Sequence, residues 1–172
     1  MPPALWRIAA DTAHYGSDDL TGKGAEATGG RWNRPGVPCV YASQSIALAC
    51  LESIVHLDGP NQLPLNRYLV RIDVPEEAWR KRTVLDQRRQ IGWDALPAGL
   101  VSLNWGTNWL KDCETLLAQV PSIVVPEESN FLLNPVHPDA ATAVVTKIRR
   151  WTYAVRSTPP YTTPAQGLAP KP

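Results

Sequence analysis

The extended segments of this sequence do not alternate regularly with helices, and that pattern limits the fold more than any other feature. Strand character is read at residues 4–9 (ALWRIA), Val37–Ala42, 65–74 (LNRYLVRIDV), Ser122–Val125, Phe131–Leu133 and 143–155. Only two segments read as convincing helices. One is an almost entirely apolar stretch from near Ile46 to about Leu57, with Ser43 or Ser45 available as its cap, and the other covers residues 107–119. Residues 76–81 offer a single further turn. A doubly wound parallel sheet needs a crossover helix after nearly every strand, so the predicted class is α+β. With 172 residues and 44% hydrophobic content, the chain suits one core, placed at residues 1–156. Residues 157–172 (STPPYTTPAQGLAPKP) carry five prolines and no periodicity and are expected to form a disordered tail.

Charge excludes some function classes. Lys plus Arg number 17 against 16 acidic residues, so a net charge of +1 creates no global field to gather nucleic acid or an anionic membrane. Anion binding, if present, must be local. No apolar run of 18 residues occurs, and MPPALWRIAADTAHYG lacks the basic and apolar regions of a signal peptide, so the expectation is a cytoplasmic chain without a membrane span. Cys39, Cys50 and Cys113 are odd in number and far apart, which argues against a disulfide framework or a CxxC zinc pair; all three are expected to be buried thiols. His14, His56 and His137 show no ligand spacing, and no metal site is predicted.

Residues 16–30 contain five glycines among small polar side chains and are read as a long loop that ends on Gly29-Gly30-Arg31-Trp32-Asn33. The loop is not a P-loop, since five residues separate Gly16 from Gly22 and Lys23 is followed by glycine rather than a hydroxyl residue. Arg31 beside Trp32 in a tight glycine turn could clamp a phosphate or pyrophosphate, or form a surface salt bridge; both readings stand on the residues alone. Glu52 is the sharpest anomaly. Its helical neighbours are Leu48, Ala49, Val55 and His56, a setting in which a carboxylate needs either a structural ion pair, with Arg7 or Arg31, or a chemical purpose. Tyr41 is an ordinary strand aromatic or a site residue between those two. Ser122 lacks the G-x-S-x-G setting of a hydrolase nucleophile. Lys147, Arg149 and Arg150 read most economically as one charged strand face, although with Trp151 they could touch nucleic acid.

The stretches LWRIA, LTGKGAEATGGRWNRPGVPCVYASQSIALACLESIVHL and VPSIVVPEESNFLLNPVHPD, reaching from residue 5 to residue 139, resemble the RES domain family, whose members are toxins of RES–Xre toxin–antitoxin pairs. The resemblance implies a fold like that of ADP-ribosyltransferases and an activity that degrades NAD+, by phosphorolysis or hydrolysis. By position it implies that Arg7 and Arg31 are the family's functional arginines, Tyr41 its aromatic, Glu52 its glutamate and Ser122 its serine. On that basis Glu52 supports the cationic ribose of the transition state, and Arg31 with Arg7 holds the pyrophosphate or incoming inorganic phosphate. Tyr41 then packs on nicotinamide or ribose, and Ser122 orients the sugar. NAD+ is substrate rather than cofactor, with phosphate as the expected co-substrate because no second carboxylate is available to activate water. The implied partner is an Xre-type helix-turn-helix antitoxin, with a homodimer as one arrangement of the complex. ADP-ribose transfer to a macromolecule, and a binding module without catalysis, are the alternative readings.

Overall fold

The computed structural model describes residues 2–55 and 64–153. The expected proline-rich tail, His56 and the expected end of the apolar helix at Leu57 lie outside the described residues.

The strands are β1 (Leu5–Ala10), β2 (Val40–Ser43), β3 (Arg67–Asp73), β4 (Thr83–Val84), β5 (Leu117–Pro121), β6 (Ser129–Leu133) and β7 (Val144–Arg150). The helices are α1 (Lys23–Thr28), α2 (Ile46–Val55), α3 (Glu76–Lys81) and α4 (Leu100–Asp112), and a 3-10 turn spans Pro138–Thr142. Seven strands form one sheet in the order β4-β5-β6-β2-β1-β3-β7. Only β4 and β5 run parallel; the other neighbours are antiparallel. The α+β class is as expected.

Strand alternation sorts the core onto the two faces of this sheet. Leu5, Val40, Ala42, Val70, Ile72, Leu117, Phe131 and Leu133 pack on one face, against Trp79 of α3. On the other lie Ala118, Val120 and Leu132, under Trp109 and Leu110 of α4 and a Trp32–Trp93 stack. Helix α2 packs against β1 and β2, with Leu48 and Ala49 buried and a serine at its start: Ser45 Oγ accepts the Leu48 N–H at 3.1 Å.

Several expectations are corrected. The expected loop at 16–30 contains α1, which is bounded by Gly22 and Gly29, both at positive φ. The expected helix at 107–119 is really the second half of α4 followed by strand β5. Helix α4 stops where Cys113 turns left-handed, at φ 54°, and its N–H caps Trp109 O. The apolar LLAQV run then pairs with β4 and β6 instead of continuing the helix. The first half of α4 is masked in the sequence by Val101, Asn104 and Gly106, all weak helix formers. Gly106 is required there because a Cβ would overlap the Trp32 carbonyl. Ser122–Val125 is a turn rather than a strand, and the last strand ends at Arg150 rather than 155. Among the cysteines only Cys39 is buried; Cys50 and Cys113 are partly exposed. Lys147, Arg149 and Arg150 all lie on β7, where Lys147 pairs with Asp11 and Asp18, the Arg149 guanidinium lies over Trp151, and Arg150, next along the strand, donates from Nε to Leu65 O.

Candidate active site

The turn that follows α1 is built around a buried amide. Gly30 N–H donates to Asn33 O at 2.9 Å, closing the Gly30-Arg31-Trp32-Asn33 turn. Asn33, fully buried, donates from Nδ2 to the carbonyls of Ala25 and Val37, each at 2.8 Å. Its Oδ1 accepts the Tyr41 hydroxyl at 2.7 Å, and the same hydroxyl accepts Trp32 N–H at 3.1 Å. A Cβ on residue 30 would sit 2.7 Å from that hydroxyl oxygen, so glycine is needed for the tyrosine to reach the turn. Burial raises the Tyr41 pKa, so the phenol stays protonated and keeps its hydrogen-bonding role.

Arg31 projects from this turn, half-buried. Its Nη1 donates to Trp93 O at 3.1 Å and Ala95 O at 3.0 Å. Burial lowers its pKa, while the negative charges of Glu52 and Asp94 oppose that shift. The guanidinium is therefore within electrostatic reach of Glu52 without pairing to it.

Glu52, on α2, is the centre of a polar cluster. Its Oε1 accepts the Ser122 hydroxyl at 2.7 Å and the Asn130 amide at 2.5 Å. Ser122 is completely buried at the start of the β5–β6 connection, where its Oγ accepts the Val124 and Val125 N–H groups, each at 3.0 Å. The single hydroxyl proton of Ser122 is thus directed at the carboxylate. Asn130 sits opposite Ser43 in the β2–β6 register, and its Oδ1 accepts the Ser43 hydroxyl at 2.7 Å. One oxygen of Glu52 is held by two donors whose own other groups are satisfied, which fixes the orientation of the carboxylate before any ligand arrives.

Arg7 lies elsewhere. Strands β1 and β2 share one register pair, Trp6 opposite Ser43, against six between β1 and β3 and four between β2 and β6. Beyond that pair they separate around a cleft of about 230 Å³, lined by Arg7, Tyr15, Lys23, Tyr41 and Arg67. Arg7 Nη1 donates to Asp19 O at 3.4 Å, and burial lowers its pKa.

The structure therefore brings Glu52 and Ser122 into contact, puts Arg31 within electrostatic reach of both Glu52 and Tyr41, and places Arg7 in a separate cleft that Tyr41 also lines. Neither arginine supplies the ion pair considered for Glu52. Sequence reasoning missed Asn33, Asn130 and Ser43 as individual contributors. Polar residues in otherwise apolar strands, as in SNFLL and VYAS, are the available signal. Among the described residues no group of His, Cys, Asp and Glu could hold a metal ion, and no helix is long and apolar enough to cross a membrane.

Comparison with known proteins adds to this geometry. Residues 4–156 match the model of the RES domain family. A "Prs ADP-ribosylating toxin" of Sphingobium sp. (strain YBL2) is 51% identical over 157 residues, covering 91% of this chain and 97% of that protein. A "Toxin Res" of Pseudomonas putida is 37% identical over 142 residues, covering 82% and 90%. Among solved structures, that of the M. tuberculosis MbcT–MbcA toxin–antitoxin complex matches with a TM-score of 0.56 over 85% of this chain and 84% of that one; at 17% identity this likeness concerns the fold.

Proposed function

From the premise that this chain belongs to the RES domain family, we propose that it is a toxin-type enzyme that breaks the nicotinamide–ribose bond of NAD+ and passes the ADP-ribosyl group to a macromolecular acceptor. The observation that carries this reading is the Glu52 carboxylate, pre-oriented by Ser122 and Asn130 beside Arg31 and Tyr41.

In the reaction the C1′–N bond breaks and its electron pair leaves with nicotinamide, which departs neutral. Positive charge develops across C1′ and the ring oxygen, and a fixed carboxylate stabilises that charge more than it stabilises bound NAD+. Glu52 takes this role. Ser122, whose proton is directed at Glu52, acts by positioning the carboxylate rather than by touching the sugar, which revises the role expected for it. Asn130 does the same. Tyr41 forms a wall for the nicotinamide riboside end, and Arg31, with part of its guanidinium tied to backbone carbonyls, offers positive charge to the anionic part of the substrate. The acceptor nucleophile bonds to C1′ and loses its proton.

Transfer is favoured over other acceptors by the 51% identical relative, whose name gives Prs as its target; Prs is the first acceptor to test. Phosphorolysis, the expectation from sequence, is the second reading, and what favours it is the cationic cleft beside Tyr41. An antitoxin partner is proposed from the toxin–antitoxin complex of similar fold.

The test uses the full-length protein with adenine-labelled NAD+, with and without inorganic phosphate and with and without Prs. Nicotinamide release with label retained on protein supports transfer, and a phosphate-dependent small product supports phosphorolysis. Intact NAD+ under all conditions sinks the enzyme reading.

A further inference from the structure

The cleft between β1 and β2 holds more positive charge than the protein neutralises. Arg7, Lys23 and Arg67 all line it, and among the described residues none of the three forms a salt bridge. The one carboxylate of the cleft, Asp19, is turned to its own loop: its two oxygens accept the N–H and hydroxyl of Thr21 at 2.8 and 2.7 Å. Arg7 Nη1 donates to the backbone oxygen of Asp19. Arg67 Nε is buried and has no hydrogen-bond partner among the described residues. An arginine stays ionised in a protein, so two guanidinium groups that line one cleft without a salt bridge call for an anion. Burial does most to depress the Arg7 pKa, the Asp19 charge opposes that shift, and Arg67 adds a smaller depression of its own.

Size narrows the choice. A cleft of about 230 Å³ is smaller than the roughly 300–1,000 Å³ of sites that enclose a whole drug-sized ligand, yet ample for a phosphate or pyrophosphate group. Flat guanidinium forks match the oxygens of such groups.

We propose that Arg67 is a further anion-binding residue of this protein, which together with Arg7 and Lys23 forms a subsite for phosphate-class anions in the β1–β2 cleft. The identity of its ligand rests on the function proposed above: the pyrophosphate bridge of NAD+ lies in this cleft while the ribose to be cleaved lies across Tyr41, near Glu52. Free inorganic phosphate has the same chemistry and is the other source.

Calorimetric binding of inorganic pyrophosphate and of orthophosphate to the full-length protein tests the proposal directly, with Arg67→Gln, Arg67→Lys and Lys23→Gln as variants and melting curves as the check on folding. Loss of one charge-assisted contact is expected to raise the pyrophosphate Kd about tenfold in Arg67→Gln, less in Arg67→Lys, and to raise the KM for NAD+ more than it lowers kcat. If orthophosphate is the tighter ligand and Arg67→Gln raises only the phosphate concentration needed for turnover, the subsite stands with free phosphate as its source. If the wild type leaves NAD+ intact but Arg67→Gln still weakens pyrophosphate binding, the subsite stands and the NAD+ reading fails. Pyrophosphate and orthophosphate affinities equal to wild type in both folded Arg67 variants overturn the proposal, whatever NAD+ does. Should Arg67→Gln melt early, Arg67→Lys and the exposed Lys23→Gln decide in its place: weakened anion binding in them supports the subsite, and wild-type affinities in both overturn it.

Discussion

The Glu52 cluster and the β1–β2 cleft are built on opposite plans. In the cluster, Ser122, Asn130 and Ser43 give their protons to named acceptors around one carboxylate. Among the described residues, the arginine and lysine charges that line the cleft form no salt bridge. A group that must stabilise a short-lived cation gains from being fixed in advance, because reorganisation at the moment of reaction is then avoided. Groups that bind a stable anion can leave their pairing to the ligand, and the unpaired state is itself a pull toward it. On the function proposed above, the contrast separates chemistry from capture within one small sheet.

Glu52→Gln should give the largest effect and tests the cluster most sharply. A glutamine Oε1 can still accept from Ser122 and Asn130, so melting should stay near that of wild type. NAD+ turnover should fall about 10²- to 10³-fold through loss of the negative charge. Both are to be measured on one purified sample, and a folded variant with near-normal turnover would remove Glu52 from the mechanism.

Ser122→Ala should follow. It strips one donor from Glu52 and leaves the partly buried Val124 and Val125 N–H groups without their acceptor, costing about 1–3 kcal/mol in denaturant unfolding. Turnover of the folded fraction should fall by up to about 10²-fold as the carboxylate loses its orientation. Unchanged kcat with reduced stability would make Ser122 a structural residue only.

Tyr41→Phe alters a residue that lines the cleft and braces the turn carrying Arg31. It keeps the ring but leaves Trp32 N–H and Asn33 Oδ1 unpaired, for an expected loss of about 1–3 kcal/mol. With the Arg31 turn loosened, KM for NAD+ should rise more than kcat falls. A KM equal to wild type would detach Arg31 from substrate binding.

The smallest effect concerns a paired charge just beyond β1, the counterpart of the unpaired ones inside the cleft. Asp11 is held below its ordinary value of 3.8 by the Ser17 N–H and by Lys147. A carboxyl depressed on folding contributes stability that is complete above the ordinary value and fades as pH falls through the lower folded one. Carboxyl titration by NMR should place Asp11 below 3.8, and Asp11→Asn should flatten the acid limb of stability slightly. A titration at or above the ordinary value contradicts the pairing.

Local pattern was enough for much of this protein. The VPCVYA run marked β2, alternation in LNRYLVRIDV marked β3, the apolar run from Ile46 marked α2, and the lack of regular strand–helix alternation set the α+β class. Glu52 stood out because its helical neighbours are apolar, and Arg31 because of the glycines before it. What the sequence could not reveal was partnership. Ser122 and Asn130 reach Glu52 across 70 and 78 residues, and only the antiparallel register of β2 with β6 puts Asn130 opposite Ser43 beneath α2. The LLAQV run satisfies helical and strand patterns alike; it became β5 because strands on both sides supply its backbone with hydrogen bonds. The separation of β1 from β2 beyond Trp6 likewise belongs to no local signal, and it makes the cleft that divides Arg7 from Glu52. Periodicity records which way a side chain points from its own element, whereas contacts between distant elements depend on register and packing, which exist only once the chain has folded.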